Sequence, residues 1–252
     1  MRMRDTARGI AGGIGLMLLL VSSSFAQPSA GGYRTFLPDG PGPHPAIIFV
    51  SGCSGFTPSF APRAYERIAE QLRAQGYMVI FADYLGRRGL TSCAGAALTP
   101  TDVARDIVAA AAWLKTQPAV DQTRITVLGW SYGGGAALVA LAESPAEQVA
   151  FSRVIVYYPD CRSVRPWTSR IPVLMLLAGG DDVAPGKRCQ QAVKESAGAD
   201  AVKVVVYPEA QHGFDVSELP PKMKYPAGTL GYHPQAAAAA WEELQRFLQP
   251  VK

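Results

Sequence analysis

Gly129-Trp130-Ser131-Tyr132-Gly133 decides how this chain is read. The stretch fits G-x-S-x-G, and its neighbours give the match weight. Arg124-Ile125-Thr126-Val127-Leu128 precedes it, a short β-branched and apolar run that predicts a buried strand. Residues 134–142 follow as a run of small, helix-forming residues. A serine between a strand and a helix lies on a tight, strained turn that pushes its hydroxyl into the open. Side chains at the flanking glycines would collide with the neighbouring strand or helix.

A serine hydroxyl is a poor nucleophile at its own pKa. It needs a base within hydrogen-bond reach, and the base needs an orienting acid. The chain has three histidines. His44 lies between two prolines ahead of a strand, where a solvated turn is expected. His233 precedes Pro234 and fits a helix cap or a surface position. His212, in Glu209-Ala210-Gln211-His212-Gly213-Phe214, falls just past the last predicted strand, at the sheet edge where ligands bind in open α/β folds. It is the expected base. The acid belongs between Ser131 and His212, after a strand. Gly179-Gly180-Asp181-Asp182 occupies that place. Two adjacent aspartates cannot both face one imidazole, so Asp181 is the choice and Asp182 the alternative. The same geometry asks for two backbone donors to a developing oxyanion. These are expected at Tyr132, which follows the serine, and at Cys53 in the loop Ser51-Gly52-Cys53-Ser54-Gly55 after an early strand. Cys53 is also a rival nucleophile by residue type, but it lacks the strand–turn–helix setting.

Working outward, apolar runs alternate with helical periodicity. Strands are expected at 33–37, 46–50, 77–81, 124–128, 154–158, 172–177 and 202–207. Helices are expected at 62–75, 101–116, 134–142, 187–196 and 234–248. Continuous apolar runs such as Ala46-Ile47-Ile48-Phe49-Val50 mark strands buried on both faces. Strand–helix alternation predicts an α/β class, with a mostly parallel central sheet and helices on both faces. The Pro- and Gly-rich segment 217–231 is expected as a surface excursion near the site. No repeat or second domain is visible.

The chain has 252 residues, 48% of them hydrophobic and 17% charged, enough for one large domain with a substantial core. Residues 1–26 read as a signal peptide: Arg2, Arg4 and Arg8 precede an apolar run from Ile10 to Val21, and Ser24-Phe25-Ala26 offers a cleavage site. The apolar run is short for a membrane anchor. Residues 27–252 would form the exported domain, periplasmic or secreted, with no membrane span left after cleavage. Of the formal charge of +4, the leader carries +2, and the even remainder gives no argument for nucleic acid. Four cysteines in an exported chain allow two disulfides in three connectivities. Sequence proximity favours Cys53–Cys93 and Cys161–Cys189. No C-x-x-C pair suggests a metal site.

From about Tyr33 to its end, the chain resembles the dienelactone hydrolase family of the α/β-hydrolase superfamily. The resemblance is carried by Ser51-Gly52-Cys53-Ser54-Gly55, by Gly76-Tyr77 and Asp83-Tyr84, by Gly129-Trp130-Ser131-Tyr132-Gly133-Gly134, by Asp181 with Pro185, and by His212-Gly213-Phe214. Tyr158-Pro159-Asp160-Cys161 and Cys189 look like an exported branch. The resemblance implies an α/β-hydrolase fold and hydrolysis of a small-molecule ester or lactone, with no metal and no organic cofactor. The namesake enzymes use a cysteine nucleophile where this chain has Ser131, which moves the expected activity toward general carboxylic esters. The first loop usually begins with histidine, and here Ser51 stands there.

Tyr84, Trp130, Tyr132, Trp167 and Phe214 fall near strand ends and are candidates for a substrate pocket. Arg87 and Arg88 are candidates to meet a substrate carboxylate, with a solvated loop pair as the plainer alternative. Gly-Trp-Ser-Tyr-Gly-Gly also resembles the nucleophile motif of prolyl oligopeptidase-type peptidases, although this chain has no room for their accessory domain. A catalytically silent binding protein on the same fold is the reading from another class.

Overall fold

The structure is a computed structural model that describes residues 27–28, 32–145 and 148–249. The expected signal peptide lies outside the described residues. Among the described residues, ten strands and five α-helices alternate along the chain. These are β1 (Gln27–Pro28), β2 (Arg34–Phe36), β3 (His44–Val50), α1 (Ala64–Ala74), β4 (Met78–Phe81), α2 (Pro100–Leu114), β5 (Val120–Trp130) and α3 (Ser131–Glu143). They continue as β6 (Arg153–Tyr157), β7 (Val173–Ala178), α4 (Lys187–Glu195), β8 (Val202–Tyr207), β9 (Met223–Tyr225), β10 (Gly228–Leu230) and α5 (Pro234–Leu248).

Eight strands form one sheet in the order β1-β2-β4-β3-β5-β6-β7-β8. Only β2 runs against its neighbours; β4 through β8 pair in parallel. The period-2 alternation of strand side chains divides the core in two. Ala46, Ile48 and Val50 of β3 face one side with Val127 and Val154, against α2, α3 and Cys189 of α4. Ile47 and Phe49 face the other side with Leu128 and Ile155, against α1 and α5. Each fully buried Ile or Leu contributes roughly 1.5–3 kcal/mol, so helices on both faces are what make continuous apolar strands stable here.

Local chemistry fixes the helix starts. Thr99 and Asp102 form a reciprocal capping box at α2, with Pro100 at the first turn. His233 caps α5, its Nδ1 accepting from Ala236 N–H at 3.2 Å. His44, expected in a solvated turn, is instead buried as the first residue of β3. Its N–H donates to the Ala119 carbonyl at 2.7 Å, which seats it at the sheet's bottom edge.

Both disulfides favoured by sequence proximity are present. Cys53–Cys93 ties the loop after β3 to the segment ahead of α2, and Cys161–Cys189 ties the turn after β6 to α4. No described helix is long and apolar enough to cross a membrane. Parallel strands bring Val50, Trp130, Tyr157, Ala178 and Tyr207 to the same edge of the sheet, so the loops that follow them converge there.

Candidate active site

Ser131 opens α3 directly after the last residue of β5, and its φ is +52°, in the left-handed region. A non-glycine residue there costs about 1–3 kcal/mol and persists only where its surroundings enforce it. The enforcement is close backbone packing. A Cβ at Gly133 would run into the carbonyl oxygens of Val50 and Ser51, and one at Gly129 would lie 2.8 Å from the Gly134 Cα. The two motif glycines thus let β3, β5 and α3 close around the serine.

His212 reaches Ser131 from the loop after β8. Its Nε2 is 2.8 Å from Ser131 Oγ, and its Nδ1 is 2.7 Å from Asp181 Oδ2. A carboxylate only accepts hydrogen bonds, so Nδ1 carries the proton and Nε2 is left to accept from the serine. Both side chains are almost wholly shielded from solvent. The other Asp181 oxygen accepts from the N–H groups of Val183 and Ala184 at 2.9 and 2.8 Å, which locks the carboxylate's orientation. Asp182 points elsewhere. It accepts from the Thr229 N–H at 2.6 Å and the Thr229 hydroxyl at 3.0 Å, and the Thr229 N–H above all holds its carboxyl below the usual range.

The loop after β3 passes beside the serine: an added Cβ at Gly52 would lie 3.4 Å from the Ser131 Cβ. Four tethers hold this loop. Tyr84 OH donates to the Gly52 carbonyl at 2.8 Å, and Gly52 N–H donates to Tyr65 OH at 2.9 Å. Cys93 N–H donates to the Cys53 carbonyl at 2.9 Å, and the Cys53–Cys93 bridge closes over it. Burial raises the pKa of the Tyr65 phenol, which keeps it neutral. Among the described residues, buried Ser51 Oγ has no hydrogen-bond partner.

A cavity of about 480 Å³ opens over Ser131 and His212. Cys53, Trp130 and Tyr132 line it. Tyr84, Trp167 and Phe214 do not, and their places correct the sequence-based expectation. Tyr84 is fully buried under the Gly52 loop as a prop. Trp167 is buried in the same core cluster as Cys161 and Cys189, its backbone N–H donating to Ser196 Oγ at 3.0 Å. Phe214 packs beneath the site among Tyr157, Tyr158 and Tyr207. Arg87 lies over the Tyr33 ring and Arg88 pairs with Asp106; neither faces the cavity.

Several wall residues escaped the sequence reading: Tyr65, Tyr158, Asp160, Arg162, Asp215 and Tyr225. Tyr158 has φ +34°, and its ring centroid lies 4.5 Å from that of His212. Its hydroxyl donates to Asp215 Oδ1 at 2.5 Å, while Trp130 Nε1–H donates to Asp215 Oδ2 at 2.8 Å. Burial raises the Asp215 pKa, and the two donors oppose that rise. Burial also works against ionised Asp160, but hydrogen bonds and charge from Arg162 outweigh it and hold that carboxyl below its ordinary value. Segment 217–231 is more than a surface excursion. Strands β9 and β10 pair as a hairpin whose Tyr225, Pro226, Ala227 and Leu230 roof the cavity. Arg67 of α1 grips Glu218 and Ser217, and Tyr225 OH meets Ser54 Oγ at 3.3 Å. Among the described residues, no group of His, Cys, Asp and Glu converges to hold a metal ion.

A mostly parallel sheet with a tight strand–serine–helix turn at its carboxyl edge defines an α/β-hydrolase. A model of the dienelactone hydrolase family matches residues 32–252, and the chain belongs to that family. It is a carboxylic ester hydrolase. No curated protein matches the sequence. Among solved structures, it is similar to a putative dienelactone hydrolase from Klebsiella pneumoniae subsp. pneumoniae MGH 78578, with 20% identity and a TM-score of 0.59 over 83% of this chain and 88% of that one. It is also similar to esterase 2 of Thermogutta terrifontis phosphorylated by paraoxon, with 16% identity and a TM-score of 0.61 over 86% and 87%. The propionate-bound form of the latter aligns with a TM-score of 0.60 and 16% identity over 86% and 88%.

Proposed function

We propose that the protein cleaves carboxylic esters, lactones included, through an acyl-enzyme on Ser131, with His212 as general base and Asp181 as its orienting acid. The supporting observation is the unbroken hydrogen-bonded chain Ser131–His212–Asp181, at 2.8 and 2.7 Å, on the floor of a largely apolar cavity. His212 Nε2 takes the serine proton as Ser131 Oγ attacks the ester carbonyl. The Cys53 and Tyr132 N–H groups hold the oxyanion, each lowering the barrier by about 3 kcal/mol. Collapse releases the alcohol, protonated by His212. Water activated by the same imidazole then frees the acid and restores the serine. Export is proposed on the two disulfides, which persist in oxidising compartments.

A fluorophosphonate probe tests the nucleophile, followed by intact mass and peptide mapping. One adduct on Ser131 is expected. The Thermogutta esterase is phosphorylated by paraoxon, a related electrophile. A folded protein that takes no label would favour the silent binding-protein alternative.

The oxyanion loop makes its own prediction. The Cys53–Cys93 bridge spans 40 residues of sequence, and a bridge of that span stabilises by about 4 kcal/mol in the chain-entropy model. The double change Cys53→Ser, Cys93→Ser is expected to lower the melting temperature clearly and to reduce kcat more than it raises KM, because Cys53 N–H loses its fixed aim. Steady-state kinetics below the new melting point separate the two effects. An unchanged kcat would show that the other three tethers suffice and that the bridge does not aim the Cys53 N–H.

A further inference from the structure

The cavity wall carries a carboxylate that the proposed chemistry does not use. Asp215 lies three residues past His212 and lines the cavity, each of its oxygens accepting a hydrogen bond from an aromatic side chain. Its hydrogen-bond donors are the Trp130 indole and the Tyr158 hydroxyl, both neutral. Among the described residues, no ion pair to Asp215 is formed, whereas the other charged wall residues are compensated. Asp160 is gripped by Arg162 through Nε and Nη2, and His212 is paired with Asp181. Arg87 and Arg88, the cations expected to receive a substrate carboxylate, face away. The rest of the wall is mostly apolar, with Ala61, Ile68, Val183, Leu219 and Leu230 among its members.

A second anion entering this space would meet an uncompensated like charge in mostly apolar surroundings. An uncharged apolar group loses nothing there. We infer that the site takes uncharged or cationic esters and rejects esters that carry a free carboxylate, with Asp215 as the specificity-determining residue. This rests on the serine-hydrolase reading above. Asp215 also joins the residue before the nucleophile, the residue just after β6 and the His212 loop at one point, so the same side chain sets both the charge and the shape of the pocket.

The test compares matched esters on enzyme counted by active-site titration. On the acyl side, monoethyl adipate is set against its amide, ethyl adipamate, and against the ethyl ester of 6-(trimethylammonio)hexanoic acid. On the alcohol side, 4-carboxyphenyl butanoate is set against 4-carbamoylphenyl butanoate. In at least one of the two series, wild-type kcat/KM is expected to be tenfold or more higher for the uncharged member than for the acid, with the ammonium ester at least matching the uncharged one. Asp215→Asn should shrink the ratio at least fivefold. The wild-type series alone decides if that variant fails to fold, because a purely steric filter would reject the ammonium ester along with the acid. Equal use of acids and amides in both series would overturn the inference and leave the hydrolase assignment standing, as would an unchanged ratio in folded Asp215→Asn. Failure to cleave any of the esters would overturn both.

Discussion

Ser131→Ala is expected to lower ester turnover on the order of 10⁴-fold or more while the protein stays folded. Alanine keeps the Cβ, so the left-handed backbone at residue 131 is no more strained than before. The packing around Gly129 and Gly133 is untouched. Only the Oγ–His212 hydrogen bond is lost, and His212 keeps its bond to Asp181. Rates on a short acyl ester and a thermal melt check both halves. Turnover retained by pure, folded variant would sink Ser131 as nucleophile.

Asp181→Asn should be nearly as damaging, about 10³- to 10⁴-fold in kcat, for a reason visible in the turn itself. Asp181 Oδ1 accepts from two backbone N–H groups, so an asparagine must place its oxygen there. Its NH₂ then faces His212 Nδ1 and forces that nitrogen to accept. The ring proton moves to Nε2, where it points at Ser131, and the imidazole can no longer take the serine proton. Asp182→Asn is the control. That residue holds Thr229 rather than the imidazole, so kcat should stay within a few-fold while KM shifts with the roof. Kinetics on the two variants side by side decide the matter. A loss concentrated in Asp182→Asn would reverse the assignment of the acid.

The central strands and the helices packed on them were legible because their signals are local. Apolar runs in β3 to β7 and the proline that opens α5 each act within a few residues. The elbow was legible for the same reason, since its glycines and serine are contiguous. Chain order pointed to the pair Asp181-Asp182 and left Asp182 as the alternative to Asp181. What separates them is which one the turn at Val183 and Ala184 captures. The pocket was read poorly. Tyr84, Trp167 and Phe214 lie near strand ends, but whether such a ring lines a cavity or props the loop beside it depends on neighbours far away in sequence. Asp215 was missed because its meaning comes from Trp130 and Tyr158, 85 and 57 residues upstream. The hairpin was read only as an excursion. Its strands are three residues each, paired with one another and bridged to the sheet side only through Leu230 and His212, too short to leave a period.

Adjacent carboxylates serve two masters at this site: Asp181 aims the imidazole, and Asp182 anchors the hairpin overhead. The floor of the cavity belongs to the sheet, whereas its ceiling is a short contiguous cassette pinned mainly by Thr229, Glu218 and the bridge from Leu230 to His212. Ceiling and floor are therefore separable parts. Lengthening or replacing residues 222–229 would change which esters fit while the bond-breaking groups stay in register, so substrate range in this scaffold can drift, or be redesigned, without rebuilding the chemistry beneath it.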